Sequence, residues 1–120
     1  MKIAFSTSGD NLDAPLYPRF GRTPKFLMYD LESKTFELVD NTQNLNAAQG
    51  AGIQAAQTVS RAGAGAVVTG HCGPKAFRVL AEADIEVYNT EAATVAEALT
   101  LYQTGKLVRA EASDVEGHWA

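Results

Sequence analysis

The 120-residue chain has one cysteine, Cys72, so no disulfide can form within it. That usage fits a reducing compartment, and a cytoplasmic location is the expectation. One thiol also falls far short of the roughly four that hold a conventional iron–sulfur cluster. With only two histidines, His71 and His118, a closed zinc site of about four N/S donors is equally out of reach. No apolar run approaches the ~20 residues of a membrane helix. The start, Met1-Lys2-Ile3-Ala4-Phe5-Ser6, lacks the long apolar segment and cleavage site of a signal peptide. Positive charge is in deficit, with 10 Lys and Arg against 14 Asp and Glu, which argues against a general nucleic-acid binder. Prolines are few, and three of the four fall between Leu12 and Pro24.

What is present reads as one α/β domain. Ile3–Thr7, Phe26–Asp30 and Thr35–Val39 are strand-like, and the link Glu32-Ser33-Lys34 makes the last two a hairpin. Ile53, Ala56 and Val59 mark one face of a helix ending near Gly63. Ala66–Thr69 is a buried strand, followed by a helix from Pro74 with Phe77, Leu80 and Ala81 towards the core. Ile85–Tyr88 is a fifth strand. Val95, Ala98, Leu99 and Tyr102 hold helical spacing behind a Thr94/Glu97 capping box, and Gly105 ends that helix. Residues 1–108 form the expected domain. Residues 109–120 read as an acidic, flexible tail.

The order β-β-β-α-β-α-β-α predicts a mixed five-stranded sheet with strand two antiparallel and helices on its faces. Four connections then meet at one edge: Ser8–Pro24, Asn41–Gly50, Gly70–Gly73 and Asn89–Thr94. Ligands of open α/β sheets favour that edge. There Gly70-His71-Cys72-Gly73-Pro74 runs from a strand into a helix N-terminus, where backbone N–H groups attract anions. The segment Tyr17-Pro18-Arg19-Phe20-Gly21-Arg22, with Lys25, is cationic, and Lys75 and Arg78 place positive charge against the dipole of the following helix. Asn44 and its neighbours Asn41, Gln43, Asn46 and Gln49 add neutral hydrogen-bonding groups. The glycine pair is equally compatible with a plain tight turn, and Phe20 with a plug at the end of the core. As a whole the edge is an anion pocket carrying one soft sulfur and one imidazole. The Leu12–Pro24 stretch, long and proline-broken, is expected to be loosely held without ligand.

Several segments together resemble the dinitrogenase iron-molybdenum cofactor biosynthesis family, which includes nitrogenase cofactor carriers and orange proteins. They are Ser8-Gly9, Arg19-Phe20-Gly21-Arg22, Gly50–Ala56, Gly70–Phe77 and Asp84–Tyr88. The resemblance implies a three-layer α/β/α, ribonuclease H-like fold with strand order 3-2-1-4-5. It also implies an anionic metal–sulfur cluster as ligand, of the molybdenum–copper sulfide or iron–molybdenum type. Ser8, Gly9, Tyr17, Arg19, Phe20, Gly21, Arg22, Asn44, Gly70, Gly73 and Lys75 are then the candidate cluster-binding residues, with Cys72 and His71 as candidate metal ligands. Cluster donor and acceptor proteins are the implied partners, and the chain is expected to be a monomer or weak dimer. Many relatives carry His where this chain has Arg19, a change that favours electrostatic capture over ligation. A phosphate- or nucleotide-binding module is the alternative. A metal-dependent nuclease fits less well, because strands one and four contain no acid.

Overall fold

The computed structural model describes residues 1–42 and 50–113. Five strands form one sheet: β1 (Lys2–Thr7), β2 (Lys25–Asp30), β3 (Thr35–Asp40), β4 (Ala64–Thr69) and β5 (Glu86–Asn89). Their order is β3-β2-β1-β4-β5. The β1–β2 and β2–β3 pairs are antiparallel and the β1–β4 and β4–β5 pairs parallel, as the meander followed by βα units requires. The helices are α1 (Ala51–Arg61), α2 (Pro74–Glu82) and α3 (Val95–Gln103).

Apolar residues of both parities line the central strands, so the core divides into two clusters, one on each face. Ala4, Phe26, Met28 and Val67 pack with Ala55, Val59 and Leu80 of α1 and α2. Ile3, Phe5, Leu27 and Val68 pack with Val95, Ala98 and Leu99 of α3. In α2 the core side is Ala76 and Leu80, one helical turn apart, with Phe77 half-buried. Ala81 is exposed, contrary to the sequence expectation. One residue beyond Leu80 turns the helix by about 100°, which carries Ala81 off the stripe that meets α1.

The end signals act as read. Thr94 Oγ1 accepts the Glu97 amide at 3.1 Å. Gly105, at φ 71°, closes α3 with its own amide donating to Tyr102 and the Lys106 amide to Leu101, a Schellman arrangement. β4 starts at Ala64, earlier than the apolar run suggests, because Gly63 at φ 91° completes the turn from α1.

Beyond α3 the chain returns to β5. Arg109 bridges to Tyr88, the Ala110 amide donates to the Val87 carbonyl at 2.8 Å, and Arg109 Nη1 lies 3.7 Å from Glu86 Oε2. The Tyr88 hydroxyl donates to Glu86 Oε1 at 2.8 Å. Burial first, then this bond to a carboxylate, pushes the Tyr88 phenol up to about 12.

Candidate functional site

The C-terminal ends of β1 and β4, adjacent parallel strands, diverge where β1 leads to one side of the sheet and β4 to the other. Such a switch point opens a crevice. The first loop fills it. Leu16 bridges to Thr7, Pro15 to Thr94, and Arg19 to His71 in parallel. The Ser6 hydroxyl sits at the base of the crevice, donating to the Tyr17 carbonyl at 2.7 Å and lying 2.7 Å from the Thr69 hydroxyl. The stretch expected to be loose is therefore tied to three segments of the fold. Its length is absorbed by long-range backbone bonds that no local pattern announces.

Two close approaches set its path. A Cβ on Gly70 would lie 2.6 Å from the Pro18 carbonyl oxygen, so only glycine lets the loop pass. A Cβ on Gly21 would lie 3.0 Å from Gly52 Cα, which seats the short 3-10 helix Phe20–Arg22 on the first turn of α1. The His71 amide donates to the Pro18 carbonyl at 2.7 Å, and the Phe20 amide to the His71 carbonyl at 3.0 Å.

Alternation along these paired segments sorts the side chains. Phe20 and Cys72 turn into the α1/α2 cluster, where both are buried and Phe20 meets Phe26 at 5.2 Å between ring centroids. Cys72 Sγ is 3.7 Å from the Gly73 carbonyl oxygen. Arg19 and His71 stay half-exposed. On the α3 side His71 lines a groove of about 310 Å³ with Pro18, Gly70, Thr90, Glu91 and Ala92. Tyr17 and Arg22 are also half-exposed, and Lys75 is exposed in the first turn of α2. Ser8 is exposed just past β1. Gly9 follows it, its amide held by Thr7 Oγ1 at 3.1 Å. Asn44, with Gln43, Asn46 and Gln49, lies outside the described residues. So does His118. Asn41 is buried, donating from Nδ2 to the Thr23 carbonyl.

Lys25 pairs with Asp10, which removes it from the cationic group read in the sequence. Arg19 precedes and Arg22 ends the short 3-10 helix seated on the first turn of α1. All three helices begin at this edge. The first amides of α3 are used internally, Val95 donating to Ala14, Ala96 to Leu12 and Glu97 to Thr94. The starts of α1 and α2 have glycine at the N-cap, Gly50 and Gly73, and hence no capping side chain there. The loop bearing the two arginines thus touches the start of α1 through Gly21 and adjoins the start of α2 through the Arg19–His71 bridge, next to two positive dipole ends. Among the described residues no group of three or more His, Cys, Asp and Glu side chains could hold a metal ion.

Sequence reasoning missed the Ser6–Thr69 hydroxyl pair. Its only trace is polar residues at the ends of two otherwise apolar strands.

A model of the dinitrogenase iron-molybdenum cofactor family matches residues 1–105. The apo form of the orange protein (ORP) from Desulfovibrio gigas superposes with a TM-score of 0.92 at 37% identity, covering 95% of this chain and 96% of that one. A Thermotoga protein provisionally named NifB, of the DUF35 family, gives a TM-score of 0.79 at 31% identity over 90% of this chain and 91% of its own. An uncharacterized protein of Methanocaldococcus jannaschii is 32% identical over 114 residues, 92% of each chain.

Proposed function

The chain belongs to the dinitrogenase iron-molybdenum cofactor family, and from that membership we propose that it binds and carries an anionic metal–sulfur cluster as cargo, without catalysing a reaction. The observation that carries this reading is the course of the loop bearing Arg19 and Arg22, which seats Gly21 on the first turn of α1 and pairs Arg19 with His71 just before α2, two helices that have only glycine as N-cap. Each helix end favours a nearby negative charge by about 0.3–1 kcal/mol when exposed and up to ~2 kcal/mol when partly buried. Charge-assisted bonds from arginine add about 1.5–3 kcal/mol apiece where water is partly excluded. These groups suit a cargo that is negative and already has its own sulfide ligands. The lack, among the described residues, of a protein ligand set for a bare metal ion supports the same choice.

Of the two cluster types that the family resemblance implies, the molybdenum–copper sulfide is the cargo proposed. Arg19, Arg22, Lys75 and the first amides of α1 and α2 would hold its negative surface. His71, in the wall of the adjoining groove, is the side chain placed to reach a soft metal. Cys72 is not, because its sulfur belongs to the core. Loading and delivery would require a donor and an acceptor protein.

Anaerobic incubation with tetrathiomolybdate and copper, followed by desalting, metal analysis and a visible spectrum, tests the reading. Retention of both metals with a coloured band is expected. A protein that stays colourless and instead binds nucleotide would replace this reading with that of a nucleotide-binding module.

A further inference from the structure

β3 is a terminal strand of the sheet, and five of its six residues are exposed, with Val39 half-buried. The opposite edge is covered, since Arg109 and Ala110 run alongside Tyr88 and Val87. Natural sheets blunt an open edge with proline, a bulge or charged side chains. β3 has no proline or bulge, its one mid-strand charge, Glu37, lies 3.7 Å from Lys2, and its register against β2 is unbroken from Thr35↔Asp30 to Asp40↔Lys25. It also carries a row of apolar side chains. Phe36 and Leu38 are 39% and 40% exposed, on the face where their β2 partners Tyr29 and Leu27 are buried. α3 packs over the central strands of that face, so among the described residues nothing covers the row where it extends from the core into solvent.

We propose that a second copy of this chain covers the edge, the two β3 strands pairing antiparallel about a two-fold axis at Glu37. Complementarity selects both occupant and register. An axis through a residue keeps like faces of the two sheets together, whereas an axis between residues sets the apolar row of one copy against the polar row of the other. Centred on Glu37, Phe36 of each copy stands opposite Leu38 of the other and Thr35 opposite Val39, while Lys34, in the turn just before the strand at φ 61°, comes beside Asp40. Centring on Leu38 would set Phe36 against Asp40, and centring on Phe36 would set Lys34 against Leu38. The two Glu37 carboxylates meet at the axis, a like-charge pair that costs stability and that Lys2 of each copy, 3.7 Å from its own Glu37, offsets. Cross-strand apolar and opposite-charge pairs are the stabilising units of such a junction. The two-fold axis reverses strand direction, so the two candidate cluster sites lie at opposite edges of the joined sheet and both stay open. The dimer does not depend on the cluster-carrying function.

Sedimentation velocity of the full chain over a concentration series tests this. The wild-type chain is expected to reach twice its 12.8 kDa mass as concentration rises. Phe36→Lys, at a half-exposed position, should stay folded by circular dichroism and raise the dimer dissociation constant at least about tenfold. Lys34→Glu and Asp40→Lys should each weaken the dimer, and the double variant should recover it. A wild-type chain that stays monomeric to about 1 mM, or a dimer that survives Phe36→Lys, would overturn the proposal. A double variant no tighter than either single one would overturn the register.

Discussion

Arg19 and His71 stand opposite each other across a single parallel bridge, fixed by the Phe20 amide on the His71 carbonyl and the His71 amide on the Pro18 carbonyl. That pairing joins the cationic loop to the strand–helix turn. It also determines which neighbours, Phe20 and Cys72, face the core.

Because the bridge needs Gly70 without a side chain, Gly70→Ala should force Pro18 away or strain β4. Overpacking of this kind costs about 1–3 kcal/mol. Thermal unfolding should show a clear loss of stability, and cluster uptake should fall in protein that remains folded. A variant as stable as wild type would mean that the loop does not pass where the geometry puts it.

The inward turn of Cys72 predicts an unreactive thiol. In native protein a water-soluble disulfide reagent should modify it only at the rate of local opening, and quickly once urea has unfolded the chain. Fast modification of the native state would return Cys72 to the set of accessible ligands.

How far the sequence carries can be judged at these residues. The strands and helices were legible because Val67-Val68, the spacing of Val95, Ala98 and Leu99, and the Thr94 cap are local patterns of period and capping. The site edge followed from element order alone. The orientation of Cys72 depended on strand alternation continuing past Thr69 as far as Cys72, which only the Arg19–His71 bridge ensures. Pairing of Lys25 with Asp10, and of Ser6 with Thr69, joins positions far apart in sequence, and composition does not reveal such pairs. The tying of Leu12–Pro24 was hidden for the same reason, since its partners are backbone groups of β1, β4 and the α3 start.

Tyr88 gives the fold an alkaline limit. Its phenol titrates near 12 when folded and near 10 when exposed. A group whose pKa is raised by folding stabilises the protein below its unfolded value and ceases to do so as pH climbs through the folded one. Stability should therefore decline between about pH 10 and pH 12, and Tyr88→Phe should flatten that decline. Equal slopes for the two proteins, by chemical denaturation across that range, would contradict the burial and the Glu86 bond as the cause.

The central claim is electrostatic capture, and comparing arginine with cysteine variants tests it most directly. Uptake of molybdenum and copper from tetrathiomolybdate and copper would be measured for wild type, Arg19→Glu, Arg22→Glu and Cys72→Ala, at low and high salt. Charge reversal should weaken uptake roughly ten- to hundredfold, the equivalent of one charge-assisted bond in a partly desolvated site. High salt should weaken the wild type, and Cys72→Ala should load as wild type does. Abolition of uptake by Cys72→Ala, with the arginine variants altered only in salt dependence, would contradict the account and make the thiolate the holding ligand.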